Sequence, residues 1–136
     1  MAPPTFMGIH LAVADMARAL SFYRRIGLSA PQGAEAAPHV EIDLGGGAHL
    51  ALSTAEIIGM YDPGWRGHHP STATVLQLGL ESREAVDALH DELVAAGYRS
   101  HLSPVDAFWG ARYSEVDDPD GNAVGFHSPR DGERQP

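Results

Sequence analysis

Two stretches of this chain follow one plan. Gly8–Gly27 (GIHLAVADMARALSFYRRIG) and Val75–Gly97 (VLQLGLESREAVDALHDELVAAG) each run from an apolar strand through an acidic or hydroxyl stop and an amphipathic helix to a glycine. Hairpin-like polar sequence follows each copy. A duplicated strand–helix–strands unit has a seam between its copies, and a seam lined by two sheets is where a ligand pocket forms. Function is therefore expected on the inward faces of the strands and not along the helices.

The local signals are regular. Ile9, Leu11 and Val13 alternate with His10, Ala12 and Ala14, a strand period. Asp15 stands at an N-cap position, and Met16, Ala19, Leu20, Tyr23 and Ile26 form a helical stripe closed by Gly27. The second copy repeats this with Ser82, then Val86, Leu89, Leu93 and Ala96, then Gly97, about one turn longer. These stripes predict core. Val40–Leu44 and His49–Ser53 read as a hairpin through Gly45–Gly47. Residues 54–71, with YDPGWRGHHPS, read as linker or loop. Tyr98–Ser103, Trp109–Val116 and Val124–Ser128 read as strands, with Asp118-Pro119-Asp120-Gly121-Asn122 as a turn. The expected organisation is one domain: a first module over 6–58, a linker over 59–72, a second module over 73–129 and a frayed tail over 130–136.

Composition narrows the function. The 136 residues carry 18 acidic and 9 basic side chains, a formal charge of −9 that repels phosphate backbones, so no nucleic-acid partner is expected. The absence of cysteine removes disulfides, thiol nucleophiles and thiolate metal sites. No apolar stretch approaches spanning length and MAPPTFMG lacks a leader's basic start, so a cytoplasmic protein with no membrane partner is expected. Gly45–Gly47 opens no helix and is no phosphate loop, no nucleophile elbow accompanies the serines, and the 117–122 cluster lacks the terminal Glu of a calcium loop.

The pieces VADMARALSFYRRIGL, REAVDALHDELVAAGY and DPDGNAVGF resemble the vicinal oxygen chelate superfamily of glyoxalases, extradiol dioxygenases and bleomycin-resistance proteins, over about residues 6–129. The resemblance implies an α+β fold of two βαβββ repeats forming a half-open barrel, paired in a homodimer. Ala37-Pro38-His39, the YDPGW segment and the Trp109-Gly110-x-Arg112-Tyr113 run are similar to the mitomycin-binding resistance type, which sequesters its drug without metal.

Metal-dependent relatives hold ligands at positions that here are Gly8, Val75, Ala51 and Gly125, none with a donor atom, so no metal cofactor is expected. The alternative is a displaced divalent-metal site on His10, His49 and His127, which alternation puts on the same faces as the vacated positions. His68 and His69 read as solvated. The resemblance implies ligand contacts at Trp109 and His39, which flank a flat chromophore in the mitomycin-binding type. Phe108, Trp65, Tyr61, Tyr113, Leu52, His10 and Phe6 are further candidates; Leu52 replaces a tryptophan of that type, so the pocket's shape is expected to differ. Arg112 reads as a structural partner of an Asp. The expected function is metal-free sequestration of a small planar aromatic antibiotic, with no catalytic residues. The alternatives are a glyoxalase- or dioxygenase-type metalloenzyme and a carrier of a biosynthetic intermediate.

Overall fold

The computed structural model describes residues 2–70 and 73–132. Its backbone divides into two compact units, one up to His69 and one from Pro70 onward. Both are α+β.

The first unit contains β1 (Gly8–Val13), α1 (Met16–Arg25), β2 (His39–Gly45), β3 (Ala48–Thr54) and α2 (Ala55–Tyr61). Its three strands are ordered β1-β3-β2, with β1 parallel and β2 antiparallel to β3. Asp15 caps α1 by accepting from the Arg18 amide, and Gly27 ends the helix at φ +102° while the Leu28 amide returns to the Tyr23 carbonyl. Met16, Ala19, Leu20, Tyr23 and Ile26 are all buried, as the stripe predicts, and Phe22 joins them. Val40, Ile42, Leu50 and Leu52 are buried side by side on one sheet face, set by the pairings Val40↔Leu52 and Ile42↔Leu50. Each such side chain contributes about 1.5–3 kcal/mol of transfer free energy.

The second unit contains β4 (Val75–Gly79), α3 (Arg83–Ala95), β5 (Ser100–Asp106), β6 (Arg112–Asp117) and β7 (Ala123–His127), in sheet order β4-β7-β6-β5. Ser82 caps α3 through the Ala85 amide, and Gly97 closes it at φ +98° with the same return bond, from the Tyr98 amide to the Leu93 carbonyl. Of the predicted stripe, Val86 and Leu93 are buried, Leu89 is half-buried and Ala96 is exposed; His90 is buried, bonded to Ser100 Oγ at 2.8 Å. In the Asp118–Asn122 turn the Asp118 carboxylate accepts from the Asp120 and Asn122 amides and from Asn122 Nδ2 at 2.9–3.0 Å.

Four expectations change. The resemblance implies three strands after the first helix, but the first unit has two and then α2. Residues 54–71 are not all linker or loop: AEIIGMY is a helix of its own that buries Ile58, and the expected module boundary at 58 falls inside it. Trp109 is not on a strand: the 107–111 segment turns, with the Ala107 amide bonded to the Ala111 carbonyl and Gly110 at φ +92°, and β6 begins only at Arg112. The tail expected from 130 is anchored at Asp131, whose amide donates to the Gly110 carbonyl; residues 71–72 of the expected linker and 133–136 of the tail lie outside the described residues.

Candidate functional site

Each sheet has one apolar face and one polar face, and the polar faces hold the chemistry. Register fixes which residues meet. In the first sheet His10, Ala51 and Glu41 form one row across the strands, and Ala12, Ser53 and His39 form the next. His10 Nε2 lies 2.7 Å from Ser53 Oγ, Ser53 Oγ lies 2.7 Å from His39 Nδ1, and His39 Nε2 lies 3.0 Å from Glu41 Oε2. The two imidazoles meet edge to face at 5.8 Å and leave Ser53 only 1% exposed. The His39 bond holds the Glu41 carboxyl below the usual carboxylate range, helped by the nearby His49.

In the second sheet the matching row is Gln77, Gly125 and Glu115, with Gly79, His127 and Tyr113 next to it. Tyr113 Oη donates to Glu115 Oε2 at 2.6 Å and accepts from Gln77 Nε2 at 3.2 Å. Burial, and then the Glu115 bond, push the phenol up to about 12 against the opposing Gln77 bond. Trp109 Nε1 donates to His127 Nε2 at 2.7 Å, while His127 Nδ1 lies 2.5 Å from the Ser128 carbonyl. Indole and imidazole are nearly parallel, 16° apart, and Phe108 and Tyr113 meet the indole edge to face at 5.0 and 5.8 Å.

Two of the positions where metal-dependent relatives carry ligands leave no room here for a ligating side chain. A Cβ at Gly8, where φ is +151°, would stand 1.8 Å from the His49 carbonyl oxygen, so no side chain reaches out from there. A Cβ at Gly125 would stand 2.4 Å from Tyr113 Oη. As for the displaced site, His10 Nε2 is bonded to Ser53, and both His127 nitrogens are engaged. Among the described residues no group of three or more His, Cys, Asp or Glu side chains is gathered to hold a metal ion.

The remaining sequence candidates scatter. Phe108 is 96% exposed and Trp109 38% exposed, a prominent aromatic pair on the turn before β6. Tyr61, at the end of α2, and Phe6 are exposed, and Trp65 is half-buried just after Pro63 and Gly64. Leu52 is fully buried on the apolar face of the first sheet, opposite to the face of His10 and His39. Arg112 binds Asp87 and Asp106, and its guanidinium is raised by both, Asp87 foremost. Ser53, Glu41, Gln77 and Glu115 were not singled out from sequence. Each lies two positions from a residue that was, or from a vacated metal position, which is the signal that strand alternation offered.

The sequence model of the Glyoxalase/Bleomycin resistance protein/Dioxygenase superfamily matches residues 5–126. The chain belongs to that superfamily. Among solved members of the glyoxalase-type fold, a glyoxalase/bleomycin resistance protein/dioxygenase from Nocardioides aligns at TM-score 0.72 and 22% identity, covering 100% of this chain and 90% of that one. Lactoylglutathione lyase from Agrobacterium tumefaciens aligns at 0.67 and 19%, covering 93% and 95%. TioX from Micromonospora sp. ML1 aligns at 0.63 and 22%, covering 92% and 98%. At these identities the superfamily's fold is shared and its many chemistries are not thereby transferred. No curated protein matches this chain. Within the described residues of this superfamily member no helix is long and apolar enough to cross a membrane.

Proposed function

We propose that this protein sequesters a planar aromatic small molecule, of the antibiotic class suggested by the resistance-type motifs, without metal chemistry. The observation that carries this reading is the Trp109 side chain. It stands partly exposed on a turn, its N–H is committed to His127, and Phe108 projects beside it. A large ring held in place by a hydrogen bond loses little entropy when a flat guest stacks on it, and such contacts are worth about 0.5–1.5 kcal/mol beyond burial. Exposed paired aromatics cost solvation unless something covers them. The charge of −9 favours a cationic guest over an anionic one. The reading includes a homodimer, checked by sedimentation, and extends equally to carriage of a biosynthetic intermediate, since both need binding alone.

Trp65 and Trp109 are the two tryptophans, so a Trp65→Phe variant makes fluorescence report on Trp109. Titration with mitomycin- and bleomycin-type compounds and other planar quinones is expected to give saturable quenching, and Trp109→Ala to weaken binding about tenfold. Unchanged fluorescence across the panel would defeat the reading.

A further inference from the structure

The bonds on the polar face of the first sheet have a direction. An ionised Glu41 only accepts, so His39 Nε2 carries a proton and donates to it; the neutral ring then presents Nδ1 as an acceptor. Ser53 O–H donates to that nitrogen, leaving its Oγ lone pairs to accept from His10 Nε2–H. The chain of donors runs His10 to Ser53 to His39 to Glu41, and the free end is His10 Nδ1, a bare acceptor on an exposed residue. Ser53 is poorly placed as a nucleophile: it is 1% exposed and its oxygen is held by both imidazoles. The other titratable groups on this face are His49 and Asp43, whose Oδ1 accepts from the Gly45 amide.

We propose that this face is a proton-accepting site for a ligand with an acidic ring hydroxyl, a phenol or hydroxyquinone, and that Ser53, His39 and Glu41 are positioning residues that carry the charge away from it. The ligand O–H proton goes to His10 Nδ1 and the ligand becomes an oxyanion. His10 Nε2 gives its proton to Ser53, Ser53 gives its own to His39 Nδ1, and His10 is left neutral in the other tautomer. The positive charge comes to rest on His39, 3.0 Å from the Glu41 carboxylate. No proton is lost or gained overall, and no co-reactant is needed. This site is independent of Trp109 and goes beyond sequestration by stacking.

The test uses 4-nitrophenol, coloured only as the phenolate, with 4-nitroanisole as the analogue lacking the hydroxyl. Bound 4-nitrophenol is expected to ionise at a pH about one unit below the free compound, a tenfold shift. Glu41→Gln, at an exposed position and with folding checked by its thermal midpoint, is expected to abolish the shift. A merely structural Glu41 would not change the colour. In the free protein, long-range proton–nitrogen NMR is expected to find both His10 and His39 protonated at Nε2, and Ser53→Ala to turn both into tautomer mixtures. The proposal is overturned if the nitrophenol fails to bind, if it binds as the neutral phenol, if Glu41→Gln leaves the shift unchanged, or if the wild-type rings are not Nε2–H. Trp109 quenching by planar quinones, measured separately, decides the sequestration reading whatever the nitrophenol does.

Discussion

The polar faces of the two sheets share one frame and carry different chemistry. His10–Ala51–Glu41 in the first corresponds to Gln77–Gly125–Glu115 in the second: a polar side chain, a tiny residue, then a glutamate. The neighbouring row then diverges. In the first unit His39 and Ser53 link the glutamate to a second imidazole. In the second, Tyr113 lies across the glycine, and its phenol joins Gln77 to Glu115. The first face is built on two imidazoles joined through a serine hydroxyl, and the second on a phenol that holds its proton to about 12. Duplication thus sets where a side chain stands, while the residue beside it decides what that place does.

The glycines at the vacated metal positions offer the strongest test of this contrast. Gly8→Ala forces a Cβ to within 1.8 Å of a backbone oxygen at a positive φ, and nothing flexible is there to yield. It is expected to cost more than about 3 kcal/mol, seen as a large fall in the urea midpoint or loss of folded protein. Gly125→Ala meets the movable Tyr113 side chain at 2.4 Å, so it is expected to cost about 1–3 kcal/mol. Adding Tyr113→Ala to Gly125→Ala should recover part of that loss, giving a coupling of about 1 kcal/mol in a double-mutant cycle. If Gly8→Ala is as stable as the wild type, the close approach of β1 and β3 is wrong. If the two changes at 113 and 125 simply add, Tyr113 does not occupy the space above Gly125.

What was legible in the sequence was local. Asp15, Ser82, Gly27 and Gly97 bound their helices because capping and left-handed termination are decided within a turn. The α1 stripe was readable for the same reason, except that Phe22 lies beside it and is buried from a neighbouring angle. The strands' polar partners were not legible, because cross-strand register is a long-range property that alternation alone leaves open. His10 and His39 stood out as single residues, yet the group linking them is Ser53, whose relevance depends on Ala12↔Ser53↔His39 being one row. Trp109 was visible, but its turn depends on Gly110 bending the chain where an apolar run suggested a strand. α2 was hidden by its shortness: seven residues give too few repeats for a period to show.

The contrast also has a pH signature. Tyr113 is an acid whose pKa rises on folding, from 10 to about 12, so the unfolded chain loses the proton first. Stability from this group is full below pH 10 and falls as pH rises through 10 to 12, where the unfolded state binds fewer protons. The expected loss is on the order of 1–2 kcal/mol across that window, after allowance for solvent screening. Tyr113→Phe should flatten the slope there, as read from urea midpoints against pH. An equal slope in the variant would assign the alkaline loss to other groups.

The smallest effects should show where the copies agree. Asp15 and Ser82 each accept one amide, from Arg18 and Ala85, both at 3.0 Å. Asp15→Ala and Ser82→Ala are each expected to cost about 1 kcal/mol. The carboxylate adds attraction to the helix's positive end, worth about 0.3–1 kcal/mol at low salt. Raising the ionic strength should therefore shrink the Asp15→Ala penalty and leave the Ser82→Ala penalty in place, measured as the shift in thermal midpoint at both salts. Equal salt dependence at the two sites would mean that the caps act through the hydrogen bond alone, making this the one level at which the copies are chemically as well as geometrically equivalent.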